Sequence, residues 1–400
     1  MNNLILVSII ILFFSRFFTE QIDKTFNTPF SSLITMSYIA IGIVLSLKFI
    51  SNRPSKTGFA LTISFLFLLS SSIISSLASD FLGFEIYSKQ ILKYTSYISI
   101  FFIMVSVVNS TYRLRLFINA IIIGTSITAT AAIIQWPLGI GHSDIGTPRP
   151  FGFSSHPALL SMLIFICLST VMVYKLSGCN KVDKKYFYMF VVVSLTAILL
   201  TQARTTWAAL FITVLFYLIG AKKFKLIVYT SLALLLISPL LMDRISDLSS
   251  LYIFIESKEY LNPRYYDVID SSFHWRIIHW YRLINVAEES MWLGWGPGTT
   301  LYLNAFGKEA HSSFIEIYVE QGYLGLFCYL FLLTNIAIYV KKSVRDKEMK
   351  IRFLVYGEFC GILLASTFGQ GIFNETHVMQ MLFFQLVMIR YISKIRVEND

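Results

Sequence analysis

Apolar positions in this chain come in long unbroken blocks, without the every-second alternation of half-buried strands. The block "LILVSIIILFF" at residues 4–14 is the first of them. A helix needs roughly 20 such residues to cross a hydrocarbon core of about 30 Å, and barrel strands would alternate. The pattern therefore predicts about twelve membrane-spanning helices of that size, near residues 3–18, 30–50, 58–78, 94–110, 116–138, 157–176, 186–202, 205–220, 224–242, 312–340, 351–369 and 377–394. The first block has neither a basic leader nor a small-residue cleavage site. It reads as a retained span rather than a signal peptide, and it is the weakest of the set.

Polar positions fall between the blocks, and their sign sets the orientation. Lys48, Arg53 and Lys56 share one side with Arg113 and Arg115, with Lys175, Lys181, Lys184 and Lys185, with "KKFK" at 222–225, with "KKSVRDKEMKIR" at 341–352, and with Lys394 and Arg396. Lys and Arg mark the cytoplasmic side, so both termini are expected inside. The chain is 56% hydrophobic and 14% charged, with mean hydropathy +0.66, which no ordinary soluble domain reaches. Its net charge of +10 is explained by topology and anionic lipid, which leaves no reason to invoke nucleic acid. Cys167, Cys179, Cys328 and Cys360 are scattered and show neither metal spacing nor a disulfide framework.

One connection breaks the rhythm. Residues 243–310 form a long loop on the outer side, where packed helices normally need only a few residues. Within it, Phe273, Ile277, Trp280, Tyr281 and Ile284 recur at helical spacing, and Ser271 or Ser272 can cap the start. An amphipathic helix over 271–288, lying against the outer face of the bundle, is the expectation. "GWGPG" at 294–298 then forces a sharp turn. There is no internal repeat and no soluble linker, so residues 1–400 read as one integral domain carrying this loop.

Basic residues on the outer side run against the rule and need a reason. Arg149 lies in the rigid "GTPRPFGFSSHP" (146–157), Arg204 in the tight connection "LLTQARTTWAAL" (199–210), and Arg276 in the loop helix with His274, His279 and Arg282 nearby. The plain readings are snorkelling for Arg204 and a solvated helix face for Arg276. Guanidinium groups suit a diphosphate, because they contact phosphate oxygens in pairs and keep their charge at any physiological pH. His311 is the candidate base, since an imidazole can be neutral beforehand and then take a proton from a sugar hydroxyl. Glu316 and Glu320 share a helix face four residues apart, placed to orient the imidazole, to bind an acceptor, or to pair within the bundle. His156, in "SSHP", is a weaker candidate, and His142 and His377 read as structural. No phosphate-binding loop, HExxH pair, GxSxG elbow or aspartate-rich metal cluster is present. No metal or cofactor is expected.

These elements in this order resemble the O-antigen ligase and polymerase superfamily, bacterial inner-membrane glycosyltransferases of the class C fold that use undecaprenyl-diphosphate-linked oligosaccharides. The resemblance rests on "RPFGFSSHP", "LTQARTTWAAL", "FHWRIIHW", "LGWGPG" and "HSSFIEIYVEQGYLG", from about 146 to 326. The chain departs from the family pattern at Gln202 and Ala203, where a Ser is usual before the arginine, and at Ser312, where many members carry Asn. The resemblance implies Arg204 and Arg276 as holders of the donor diphosphate; Arg149, Arg282, Glu316 and Glu320 are the further substrate-binding candidates that the outward polar positions offer. It implies His311 as general base at the periplasmic face; a chain-length regulator is a further expected partner. A polymerase joining repeat units is the expectation, with aromatic residues such as Tyr260, Trp275, Trp280 and Trp292 as stacking surfaces. A ligase moving finished glycan onto lipid A-core is the near alternative. A transporter of lipid-linked sugar is the more distant one, favoured only by Glu358 within a span.

Overall fold

The structure is a computed structural model that describes residues 3–51, 56–141, 148–178, 183–229, 272–304, 307–344, 349–369 and 375–399. The regular elements among them are all helices. In order they are α1 (Asn3–Ser15), α2 (Thr19–Phe26), α3 (Phe30–Ser51), α4 (Lys56–Ala78), α5 (Phe84–Val107), α6 (Thr111–Gln135), α7 (Pro157–Leu176), α8 (Lys184–Leu200), α9 (Arg204–Gly220), α10 (Ser272–Glu288), α11 (Ser313–Ser343), α12 (Met349–Phe368) and α13 (Thr376–Asn399).

Eight of these, α3 to α7 and α11 to α13, are long and apolar enough to cross a membrane. The pair α1 and α2, bent by 70°, makes a ninth if the two count as one span. The protein is a multi-pass, all-α membrane protein. The expected twelve spans are not reached among the described residues. Helices α8 and α9 have 17 residues each, which at 1.5 Å per residue is about 25 Å. They are cut short by the tight turn at Thr201–Ala203, where Gln202 adopts a left-handed backbone (φ 53°). The expected span at 224–242 lies outside the described residues from 230 onward, as does the first part of the long loop, up to 271.

Helix α7 is buried along nearly its whole length and forms the centre of the bundle. The most extensive pairing is α9 against α12. Small residues allow it, as lipid-embedded helices require close backbones for association. A Cβ added at Gly361 would lie 2.8 Å from the Ala209 backbone, and one at Gly357 would lie 2.9 Å from that of Thr213. The two helices run antiparallel, because Gly220 meets Phe353 and Met349 at one end while Gly369 meets Thr205 at the other. This brings the start of α9 and the end of α12 to the same face of the bundle.

Helix α11 is broken inside, at Gly322 (φ 62°, ψ −160°). The turn "GWGPG" fills the break. Trp295 and Gly296 donate their amides to the carbonyls of Val319 and Glu320 at 3.0 and 2.9 Å, and Tyr323 and Leu324 donate theirs to Met291 and Trp292 at 2.8 and 3.2 Å. Backbone groups that a broken helix would leave unpaired are thereby satisfied. Only glycine fits at Gly322, since a Cβ there would lie 2.4 Å from the Trp292 carbonyl carbon.

Helix α10 occupies the range expected for the amphipathic element, but its packed face is rotated. Ile278, Leu283 and Ala287 are its buried apolar positions among the described side chains, with Leu283 and Ala287 against Ala310 and Val319. Tyr281 and Ile284, expected on the apolar face, are exposed. The reason lies in its neighbour: α10 packs on α11 and the segment before it, whose contact surface selects a different stripe.

Candidate active site at one end of the bundle

His311 stands just before Ser312, the N-cap of α11, in a left-handed backbone conformation (φ 52°). Helix α10 holds this segment. Trp280 donates its indole N–H to the Ala310 carbonyl at 2.6 Å, and His279 Nε2 donates to the Glu309 carbonyl at 3.1 Å. Two adjacent side chains thus clamp the two carbonyls immediately before His311. Trp275, one turn earlier, stacks on His279 (4.9 Å between rings) and meets the His311 ring edge-on at 5.5 Å. Lys308 Nζ lies 5.3 Å from the Trp275 ring centre.

The arginines arrive from the segment before α7, from the start of α9 and from α10 itself. Arg149 Nε donates to the Thr201 carbonyl at 2.9 Å, which fixes it at the turn that begins α9 with Arg204. Arg276 reaches from α10 to donate through Nη1 to the carbonyl of Phe368, the last residue of α12, at 2.8 Å. The antiparallel packing of α9 and α12 then brings Arg276 and Arg204 close. Burial lowers the Arg276 pKa below its ordinary value, and the charges of Arg204 and Arg149 lower it further. Those three guanidinium groups therefore share one field, which the sequence alone left open. Arg276 Nε is buried with no acceptor among the described residues.

His311 senses Arg276 as well. Its pKa is pushed down to about 3, chiefly by burial, then by Arg276, His279, His156 and Lys308. It is neutral at physiological pH, the form a base requires. His279 is likewise lowered, to about 4, mainly by burial. An assembly of cations and neutral imidazoles is arranged to receive an anion and, beside it, a proton.

The remaining sequence candidates are each held by contacts of their own. The Glu320 carboxylate is bound by the glycine loop, with Thr300 Oγ1 donating at 3.0 Å and the Gly298 and Thr300 amides adding to it. Its backbone carbonyl accepts from Ser75 Oγ at 2.6 Å. Glu316 is buried in the first turn of α11, facing Tyr94 and Tyr329. None of the largest influences on His311 is a carboxylate. Arg282 is six residues after Arg276, about 240° around the helix, and its charge acts on His279. His156 caps α7, its Nδ1 accepting from the Ala158 amide at 3.2 Å, while also lying within the field of His311. His377 pairs with Glu20 at 3.1 Å. Glu358 accepts from Ser169 and Gln385 at 2.6 and 2.5 Å and joins α12 to α7 and α13.

Residues 189–330, from α8 through the first half of α11, match a family model described as O-antigen ligase. Over that stretch, about a third of the chain, the sequence is similar to the O-antigen ligase family. Members of that family are glycosyltransferase-like enzymes. The matched stretch contains Arg204, Arg276, Arg282, His311, Glu316 and Glu320, while Arg149 lies before it. No curated protein matches the chain.

Sequence reasoning named Trp275, Trp280 and His279 without giving them the part they have in holding and flanking His311. It passed over Glu309, whose carboxyl pKa is pushed up by burial and which sits two residues before His311. Aromatic spacing marked α10 as a helix. Nothing in that spacing marked which carbonyls its side chains would hold.

Proposed function

We propose that the protein is a surface-polysaccharide polymerase that joins undecaprenyl-diphosphate-linked repeat units by inverting glycosyl transfer on the outer face of a bacterial inner membrane. The observation that carries this reading is Arg276, which shares the field of Arg149 and Arg204 on one side and acts on a neutral His311 on the other. The donor diphosphate lies against the arginines. His311 takes the proton from the acceptor hydroxyl, the freed oxygen attacks the anomeric carbon, and the carbon–oxygen bond to the diphosphate breaks. The leaving diphosphate keeps that electron pair, and guanidinium charge stabilises it as it departs.

With pKa about 3 in the empty site, His311 is a weak base. A bound diphosphate offsets the arginine charge, and a nearby opposite charge raises an imidazole pKa. Donor binding thus activates the base, so that proton abstraction is efficient only when the substrate to be attacked is present.

The polymerase reading is favoured over the ligase by exposed aromatic residues between α10 and α11, Trp292 and Tyr302 at 69% and 53% exposure, which offer stacking faces for a long glycan. The description of the matched family favours the ligase, which remains the second reading. A chain-length regulator is the expected protein partner. Purified wild type, His311→Ala and Arg204→Ala are each supplied with undecaprenyl-diphosphate repeat units alone, and the glycans are resolved by gel. A ladder from wild type that both variants lose supports the polymerase. Transfer that begins only when lipid A-core is added makes it the ligase.

A further inference from the structure

At the opposite end of α11 from His311 lies a second feature, independent of the proposed catalysis. A cavity of about 420 Å³ opens between the last turns of α5, α11 and α13. Three cations line it: Lys342, Arg390 and Lys394. No acidic side chain lines it among the described residues. Its other wall includes Val105, Val108 and Val387.

We propose that this cavity binds the phosphate headgroup of an anionic phospholipid, with an acyl chain running along the valine wall. Arg390 is held in place by neutral groups, donating to Thr57 Oγ1 at 3.0 Å and lying 5.7 Å from the Tyr339 ring centre. These contacts fix its direction without neutralising its charge. Lys342 and Lys394 sit on different helices, α11 and α13, and both are exposed, so their ammonium groups can close on a ligand from two sides. A preference for basic residues at one membrane face explains their number. It does not explain their meeting around a cavity with an apolar wall, which matches a molecule that is anionic at one end and hydrocarbon at the other. A soluble phosphate would use the cations and leave the valines without a role.

The full-length protein in detergent is examined by native mass spectrometry with phosphatidylglycerol and with phosphatidylcholine of the same acyl chains. Phosphatidylglycerol is expected to be retained selectively. At about fivefold in affinity per basic residue near a headgroup, Lys342→Gln with Lys394→Gln lowers that retention roughly 25-fold. Lys394→Gln alone, at an exposed position, lowers it about fivefold and serves if the double variant does not fold. Equal retention of the two lipids overturns the proposal, as does unchanged retention in folded variants. Displacement of the lipid by millimolar inorganic phosphate overturns it in favour of a soluble anion.

Discussion

His311 combines a left-handed backbone, a clamped preceding segment and a ring surrounded by positive charge. Because kcat/KM reports the free enzyme and kcat the loaded one, the acidic limb of kcat is expected at higher pH than that of kcat/KM. Coincident limbs would contradict activation by the donor. The same shift bears on stability. Folded His311 titrates below the unfolded value of about 6.5, so the unfolded chain binds the extra proton as pH falls, and stability present above about 6.5 is lost on the way down to about 3. His311→Gln should flatten that loss in thermal unfolding between pH 7 and 4, leaving the smaller share of His279. For the arginines, Arg204→Lys keeps the charge but loses the planar fork. A fall of about 10²-fold in kcat is the expectation, by analogy with removing one donor from a charge-stabilising site. An activity near wild type would mean that Arg204 serves only as a long-range charge.

At the scale of elements, two packing devices place these residues. The close approach of α9 and α12 puts Arg204 beside the carbonyl that anchors Arg276. Gly361→Leu forces the two helices apart, and loss of donor binding is expected even though no site residue has changed. The other device is the break in α11. Gly322→Ala puts a side chain into a left-handed conformation and against the Trp292 carbonyl. Strain of that kind costs about 1–3 kcal/mol before the clash is counted. A clear drop in melting temperature should result, and an unchanged one would show that the loop can retreat. The two glutamates that sequence spacing offered as ligands belong to this scale: Glu320 fastens the glycine loop, and Glu316 faces the bundle interior.

For the molecule as a whole, a transporter would need a charged residue that changes partners near the middle of the bundle. Glu358 is the one charge in α12 that resembles this, and it is held by hydrogen bonds from two neighbouring helices. Glu358→Gln keeps an acceptor for Ser169 and Gln385. Polymerisation by this variant is expected to stay within about twofold of wild type. Abolished turnover in a folded variant would reopen the transport reading.

Hydrophobic block length alone determined that the chain is helical and membrane-embedded, because unpaired backbone is intolerable in lipid. Local spacing also located α10, since that signal is carried by residues close together in sequence. Helices α8 and α9, at 17 residues each, match the lengths of their apolar blocks and stand at the short end of what crosses a membrane. Tertiary structure decided the rest. Arg149 meets its anchor 52 residues away and Arg276 meets its own 92 residues away. Whether such groups converge depends on helix packing between distant segments, and packing of that kind leaves no periodic signature in the chain.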